Sequence, residues 1–443
     1  MPDDGPAPLP PSPPIDEQTR QNIAAETFFS AFNGIYMGPA IMAAPVVAVV
    51  ALRANPLELT LLVAAFPVGV FFGPLWAGLG RRLGMKRLVT LMGLGANLLL
   101  FTVFWVESSW LFTLVVAASQ VLNSGMRMGQ SSLYYVLYPR AIRGRVLGRL
   151  TFWTFLTMVP SILLAGWLID LSREMYRLIY PMAGVCGLIG CCYYHMLRLP
   201  AATAPPPPKQ SILDGLRNVQ RVLATDRAYL LYQASFFLSG AAFFMSSHIV
   251  LLMVNERFGF SAFELSLWMT VVPQLMLAVS SPGWGIVLDR VGIIRTRILM
   301  SATMSAYLAC YWLGIVGGLP VLICLGSIFC GLTNGAGQVT WALTSSHFAP
   351  RAEDVPVYNG IHFVLNGVRG LVVPWVGSVL WVLFGAGAVL AALATSAGSI
   401  PILLRLLNRS PAAAPDEAPA PAESPTPGRN GDARGTRTPV LRN

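Results

Sequence analysis

Residues 284–300 read WGIVLDRVGIIRTRILM, a point where a long apolar run meets an aspartate and three arginines. A near copy, WAGLGRRLGMKRLVTLM, stands 208 residues earlier at 76–92. Trp76/Trp284, Arg82/Arg290, Gly84/Gly292, Arg87/Arg295, Leu91/Leu299 and Met92/Met300 are identical between the two. The same offset carries Phe28 and Phe29 onto Phe236 and Phe237. An offset of 211 carries Asn123 onto Asn334, and Pro139, Arg140 and Ala141 onto Pro350, Arg351 and Ala352. Self-similarity sustained over this much chain marks an internal repeat. Two halves in parallel, 23–197 and 229–407, are therefore joined by residues 198–228.

The repeated unit is a membrane bundle. Of the 443 residues 55% are hydrophobic and only 11% charged, against roughly 25% charged in a soluble domain; mean hydropathy is +0.61. A spanning helix needs about 20 mostly apolar residues. Such stretches run over 23–50, 58–80, 88–106, 110–137, 150–169 and 178–197, then over 229–254, 263–288, 298–317, 319–345, 357–381 and 385–407. The fold class expected is an all-α integral membrane protein of twelve transmembrane helices in two six-helix pseudo-repeats.

The net charge of +10 points to topology rather than to nucleic acid, because the basic residues crowd one side. With the N-terminus inside, the inner connections hold Arg81, Arg82, Lys86 and Arg87; Arg140, Arg143, Arg145 and Arg149; Arg198, Lys209, Arg217, Arg221 and Arg227; Arg290, Arg295 and Arg297; and Arg351. The outer connections hold Arg53, Arg173, Arg177 and Arg257. This positive-inside asymmetry places both termini in the cytoplasm and the protein in the cytoplasmic (inner) membrane. Residues 1–22 and 408–443 are Pro-rich or of low complexity and read as disordered cytoplasmic tails, with no secretory signal before the first span. In the linker, SILDGLRNVQRVLA places Ile212, Leu213, Leu216, Val219, Val222 and Leu223 on one face of an amphipathic helix suited to the inner leaflet. The six cysteines lie within apolar spans and read as packing residues.

Two six-span halves, a long basic central loop and a short charged loop after the second span of each half resemble the major facilitator superfamily (MFS) of secondary transporters. That family's loop motif runs G-x-x-x-D-R-x-G-R-K/R. Gly285, Asp289, Arg290 and Gly292 fit it in the second half. In the first half Ala77 and Arg81 replace the glycine and the acid, leaving Arg82, Gly84, Lys86 and Arg87. The resemblance implies that this loop latches one gating state. Asp289 is expected to pair with Arg290, Arg295 or the start of the eleventh span and to stabilise the outward-open form.

Charges inside spans are costly and mark function. Glu26 is expected in the first turn of the first span, Arg127 in the fourth and Arg369 near the middle of the eleventh. The sequence RMGQ at 127–130 is similar to the R-x-x-Q-G pattern of proton-linked members, which implies proton coupling through Arg127 paired with Glu26. A hydrated Glu26 at a helix start is the other reading. His362, Asn366 and Arg369 share one helical face and would bind a carboxylate or phosphate, or clamp two helices together. Gln130, Asn33, Asn334, Gln338 and Trp341 complete the expected cavity lining.

No GxxxxGKS/T, HExxH, GxSxG or paired metal-ligand cysteines occur, so neither an enzyme nor a cofactor or metal is expected. The G-P-x-x-G-G run of the family's antiporters is also missing; around Pro160 the chain reads TMVPSILLAGW. The expected function is alternating-access transport of a small organic or phosphorylated anion by a monomer, coupled to a proton or a counter-substrate. Efflux of lipophilic cations through Glu26, and a non-transporting sensor on the same fold, are the alternatives.

Overall fold

The N-terminal run of prolines ends at Pro14, and Asp16 adopts extended backbone just before Glu17, whose carboxylate complements the positive end of a helix. Helix α1 (Glu17–Met37) begins there, so the expected tail 1–22 is cut short and Glu26 is not in a first turn. The Asn22 side chain secures this start, accepting from Arg198 N and donating to Arg198 O, both at 2.9 Å. The computed structural model describes residues 16–199, 221–350 and 354–409. Most of the amphipathic linker helix, Arg351 and nearly all of the C-terminal tail lie outside these.

Helix α1 passes through a π turn (Gly38–Met42) into α2 (Ala44–Val50), bent by 44°. Asn55 and Glu58 form a capping box around Pro56, starting α3 (Pro56–Phe71), which meets α4 (Gly73–Leu83) at 54°. The first half ends with α5 (Met85–Thr102), α6 (Ser109–Leu137), α7 (Arg140–Leu171) and α8 (Tyr176–His195). The second comprises α9 (Arg227–Phe258), α10 (Ala262–Ser266) leading through a π turn into α11 (Val272–Gly317), α12 (Pro320–Phe348), α13 (Val355–Phe384) and α14 (Gly387–Arg409). No strand occurs among the described residues.

Every stretch expected to span lies on one of these helices or bent pairs. Among the described residues eight helices are long and apolar enough to cross a membrane, ten if each bent pair is one span. One of the eight, Ala262–Gly317, covers 56 residues and is broken at Gly292 (φ 78°, ψ 169°), so it holds two of the expected stretches. Helix α6 is outside that set; Gln120, Asn123, Ser124, Arg127 and Gln130 interrupt it.

The repeat is visible in the backbone. Helices α6 and α12 begin and end at the same offset of 211, and Gly84 (φ 88°) matches Gly292 in a region of backbone space that only glycine occupies readily. Nothing lies within 4 Å of a Cβ placed on Gly84, Gly285 or Gly292. The turn therefore requires glycine for positive φ at Gly84 and Gly292, and at none of the three for a close contact with a neighbour.

The described residues up to Leu407 form one compact unit, and the halves meet toward the end of the bundle away from the Gly84 and Gly292 turns. There the Asp170 carboxylate of α7 accepts the backbone N–H of Ala262 at 2.7 Å and of Phe263 at 2.9 Å. Thr60 of α3 bonds Ser378 of α13, and His248 of α9 joins both. Ala43, Met158, Ile162 and Val271 close the apolar contact. Gly367 and Gly370 of α13 seat Phe71 and Pro67 of α3, the small-residue packing that membrane helices use.

Candidate functional site

With one end sealed, a cavity of about 670 Å³ is left between the halves, lined from α1, α6, α7, α9, α11, α12 and α13. A volume of this size suits a small organic solute. Of the expected lining residues, Asn33, Arg127, Gln130, Asn334, Gln338, Asn366 and Arg369 all face it. Trp341 is on α12, but its side chain lies outside the described ones.

In the first half Arg127 and Asn33 converge on the Met37 sulfur, and Arg127 Nε donates to Asn123 Oδ1 at 3.3 Å, one helical turn away. Gln130 is buried with its Nε2 unpartnered. In the second half Arg369 Nη1 donates to the Phe236 carbonyl at 2.7 Å and Nη2 to Asn366 Oδ1 at 2.5 Å. Gly240 makes room for it: a Cβ there would fall on the guanidinium.

Two expected residues stand apart. His362 is buried outside the cavity lining, its ring 4.2 Å from that of Phe236 and its Nδ1 3.3 Å from Gln233 Nε2. It shares a face with Arg369, and seven residues of helix put about 10 Å between their backbones, but both side chains reach the ring of Phe236, the Arg369 Cζ lying 4.5 Å from its centroid. Glu26 is fully buried and accepts a hydrogen bond from the Tyr138 hydroxyl. Met37, which touches Arg127, is eleven residues further along α1, about 16 Å, and the expected Glu26 to Arg127 pair is not formed. Among the described residues the ion pairs are Arg20 with Glu17 and Arg177 with Glu107 and Glu174. Asp289 is exposed and in none of these, so its expected pairing with Arg290 or Arg295 is absent too. Gly285, Arg290, Gly292, Arg82 and Gly84 lie at the charged turns outside the cavity lining.

One charged cavity residue was not legible as such. Arg297, assigned above to an inner connection, is 1% exposed and lines the cavity, its Nη2 donating to Ser239 Oγ at 3.0 Å. The available signal was its counterpart in the repeat, the apolar Val89.

A sequence profile of the Major Facilitator Superfamily matches residues 27–353 and 234–441. Solved structures of similar fold include a mutant of the nucleoside transporter NupG (14% identity, TM-score 0.68, 87% of this chain and 99% of that one). A POT family transporter in complex with a thioalcohol-conjugated peptide is also similar (10%, 0.67, 88% and 99%). So is a bacterial homologue of the human lysosomal transporter Spinster in an inward-facing, unoccupied conformation (12%, 0.61, 89% and 98%). No curated protein matches. A helical membrane bundle, a doubled glycine turn and a polar cavity between its halves agree with that profile, and the chain belongs to the Major Facilitator Superfamily.

Proposed function

We propose that the protein is a twelve-pass secondary transporter moving a small organic anion by alternating access. One observation carries the choice of anion: the charged side chains lining the cavity are Arg127, Arg297 and Arg369, and no Asp or Glu lines it among the described residues. Efflux of cations is disfavoured by the same observation, since Glu26 is buried against Tyr138 outside that lining. The positive-inside asymmetry makes the sealed end extracellular and the cavity open toward the cytoplasm. Coupling is to a proton or a counter-substrate. Tyr134 lines the cavity and stacks on Tyr138 with ring centroids 6.4 Å apart, which supports a proton route to Glu26. The test is uptake by proteoliposomes of a panel of labelled organic anions and lipophilic cations. Anion uptake that is lost in Arg369→Gln is expected; cation uptake that survives in Arg369→Gln and is lost in Glu26→Gln would overturn the reading.

A further inference from the structure

We infer that Arg297 and Arg369 together form a subsite for a doubly charged oxyanion, the phosphate of an organic phosphate monoester. The inference rests on the anion reading above and specifies its chemistry. The two guanidiniums come from different helices, α11 and α13, yet converge on one ring: their Cζ atoms lie 5.0 and 4.5 Å from the Phe236 centroid. Phe244 adds a second ring 5.4 Å from Arg369. Both arginines are almost fully buried, at 1% and 5% exposure. Their Nη groups are taken by neutral acceptors, the Phe236 carbonyl and Asn366 for Arg369, Ser239 and the Met300 sulfur for Arg297. The Nε of each has no partner.

Two like charges against one ring, with no carboxylate among the described cavity lining, repel one another and have lost most of their hydration. The ring faces offset part of that cost. What would offset the rest is an anion with two charges and acceptors enough for two forks. A phosphate monoester carries about −1.5 to −2 at neutral pH and presents three free oxygens; a monocarboxylate carries one charge and occupies one fork. The cavity volume of about 670 Å³ is much larger than a bare phosphate. Its walls of Met42, Phe155, Phe243 and Phe244 suit an organic body, with Asn334 and Gln338 as polar contacts.

The test uses the full chain in nanodiscs of phosphatidylcholine, whose phosphates are diesters, with binding followed by calorimetry at about pH 8. The probes are phenyl phosphate, inorganic phosphate, benzoate and phenol. Phenyl phosphate is expected to bind at least about tenfold more tightly than benzoate and than inorganic phosphate. Its affinity should fall about tenfold by about pH 5, where the ester takes up its second proton, while that of benzoate should not. Arg297→Gln should weaken phenyl phosphate at least about tenfold and benzoate by clearly less, since the dianion uses both guanidiniums and the monoanion one. Arg297→Lys, which keeps the charge without the fork, should recover part of the loss in a protein that melts normally. Benzoate binding as tightly as phenyl phosphate, with neither altered by Arg297→Gln, would remove the dianion subsite and leave the anion reading standing. Inorganic phosphate binding as tightly as phenyl phosphate would overturn the ester. Binding of phenol but of no anion would sink both the subsite and the anion reading.

Discussion

At an offset of 208 residues Arg297 of the second half corresponds to Val89 of the first, Phe236 to Phe28 and Ser239 to Ala31. The pairs have opposite surroundings: Phe236 is 9% exposed with two guanidiniums against its ring, whereas Phe28 is 53% exposed and Val89 sits in an apolar cluster with Phe29 and Met126. At the offset of 211 Asn123 and Asn334 agree, but Arg127 becomes Gln338. The backbone frame, by contrast, is kept, with α6 and α12 matching end to end and Gly84 and Gly292 sharing positive φ. Repetition thus preserves what holds the bundle, and the site arises where the halves have diverged.

The most severe break of this comparison is to impose one half's chemistry on the other. Val89→Arg places a charge in a cluster with no equivalent of Ser239 or the buried Phe236, at a cost of about 3 kcal/mol, read as a large drop in melting temperature. Arg297→Val should melt near the parent temperature, because it replaces a buried charge with the residue the other half already uses. A Val89→Arg protein as stable as the parent would show that the first half has a cradle of its own.

Next in size are the shared turns. Gly84→Ala and Gly292→Ala each force a side chain into backbone space that only glycine tolerates, at about 1–3 kcal/mol. Because the two φ values are so close, the losses in melting temperature should be similar. A loss confined to one site would mean that the turns are alike in sequence only.

These same positions show how much could be read in advance. The turn glycines were legible because a backbone demand leaves the same residue in both copies. Arg127 and Arg369 were legible because a charge far from either end of an apolar stretch has no headgroup within reach. Arg297 was not: it follows Arg295 by two residues and resembles one more inner-face cation until the helix winds it inward against Phe236. His362 was placed in the site because periodicity gives a helical face but not depth within a cavity. Glu26 reads as a first-turn residue because the hydrophobic run begins near it, although polar α1 residues from Glu17 onward are held by the contact of Asn22 with Arg198. Asp289 followed a motif whose ion pairing the described structure does not make.

A third test compares the two ends of the bundle. At the sealed end Asp170 accepts two backbone N–H groups from the other half, and hydrogen bonds to a charged acceptor contribute about 1.5–3 kcal/mol each to what they join. Asp170→Ala leaves those two N–H groups to water, which returns part of that contribution, and should raise hydrogen exchange at Leu265 and Ser266, which do not bond Asp170, by roughly tenfold, the equivalent of about 1.4 kcal/mol. The Ser261 and Glu264 capping box remains in that variant, so the gain would report parting of the halves and not fraying of α10. Unchanged exchange would assign the seal to the apolar cluster of Ala43, Met158, Ile162 and Val271.

The smallest expected change in binding comes from Glu26→Gln, and it separates the first half's buried acid from the second half's arginines. The amide oxygen can still accept from Tyr138, so the fold is kept, and the residue does not line the cavity. Phenyl phosphate affinity should therefore stay within about twofold, far less than the change in Arg297→Gln. What should disappear is the proton dependence: uptake driven by an imposed pH gradient falls to its level without the gradient, while exchange of internal for external solute continues, since exchange needs only the loaded cavity to change sides. Gln cannot release a proton in this range, which is why the two modes separate. A tenfold gain of affinity in Glu26→Gln would place the carboxylate's repulsion within the field of the bound anion, and the division of labour between the halves would fail at that point.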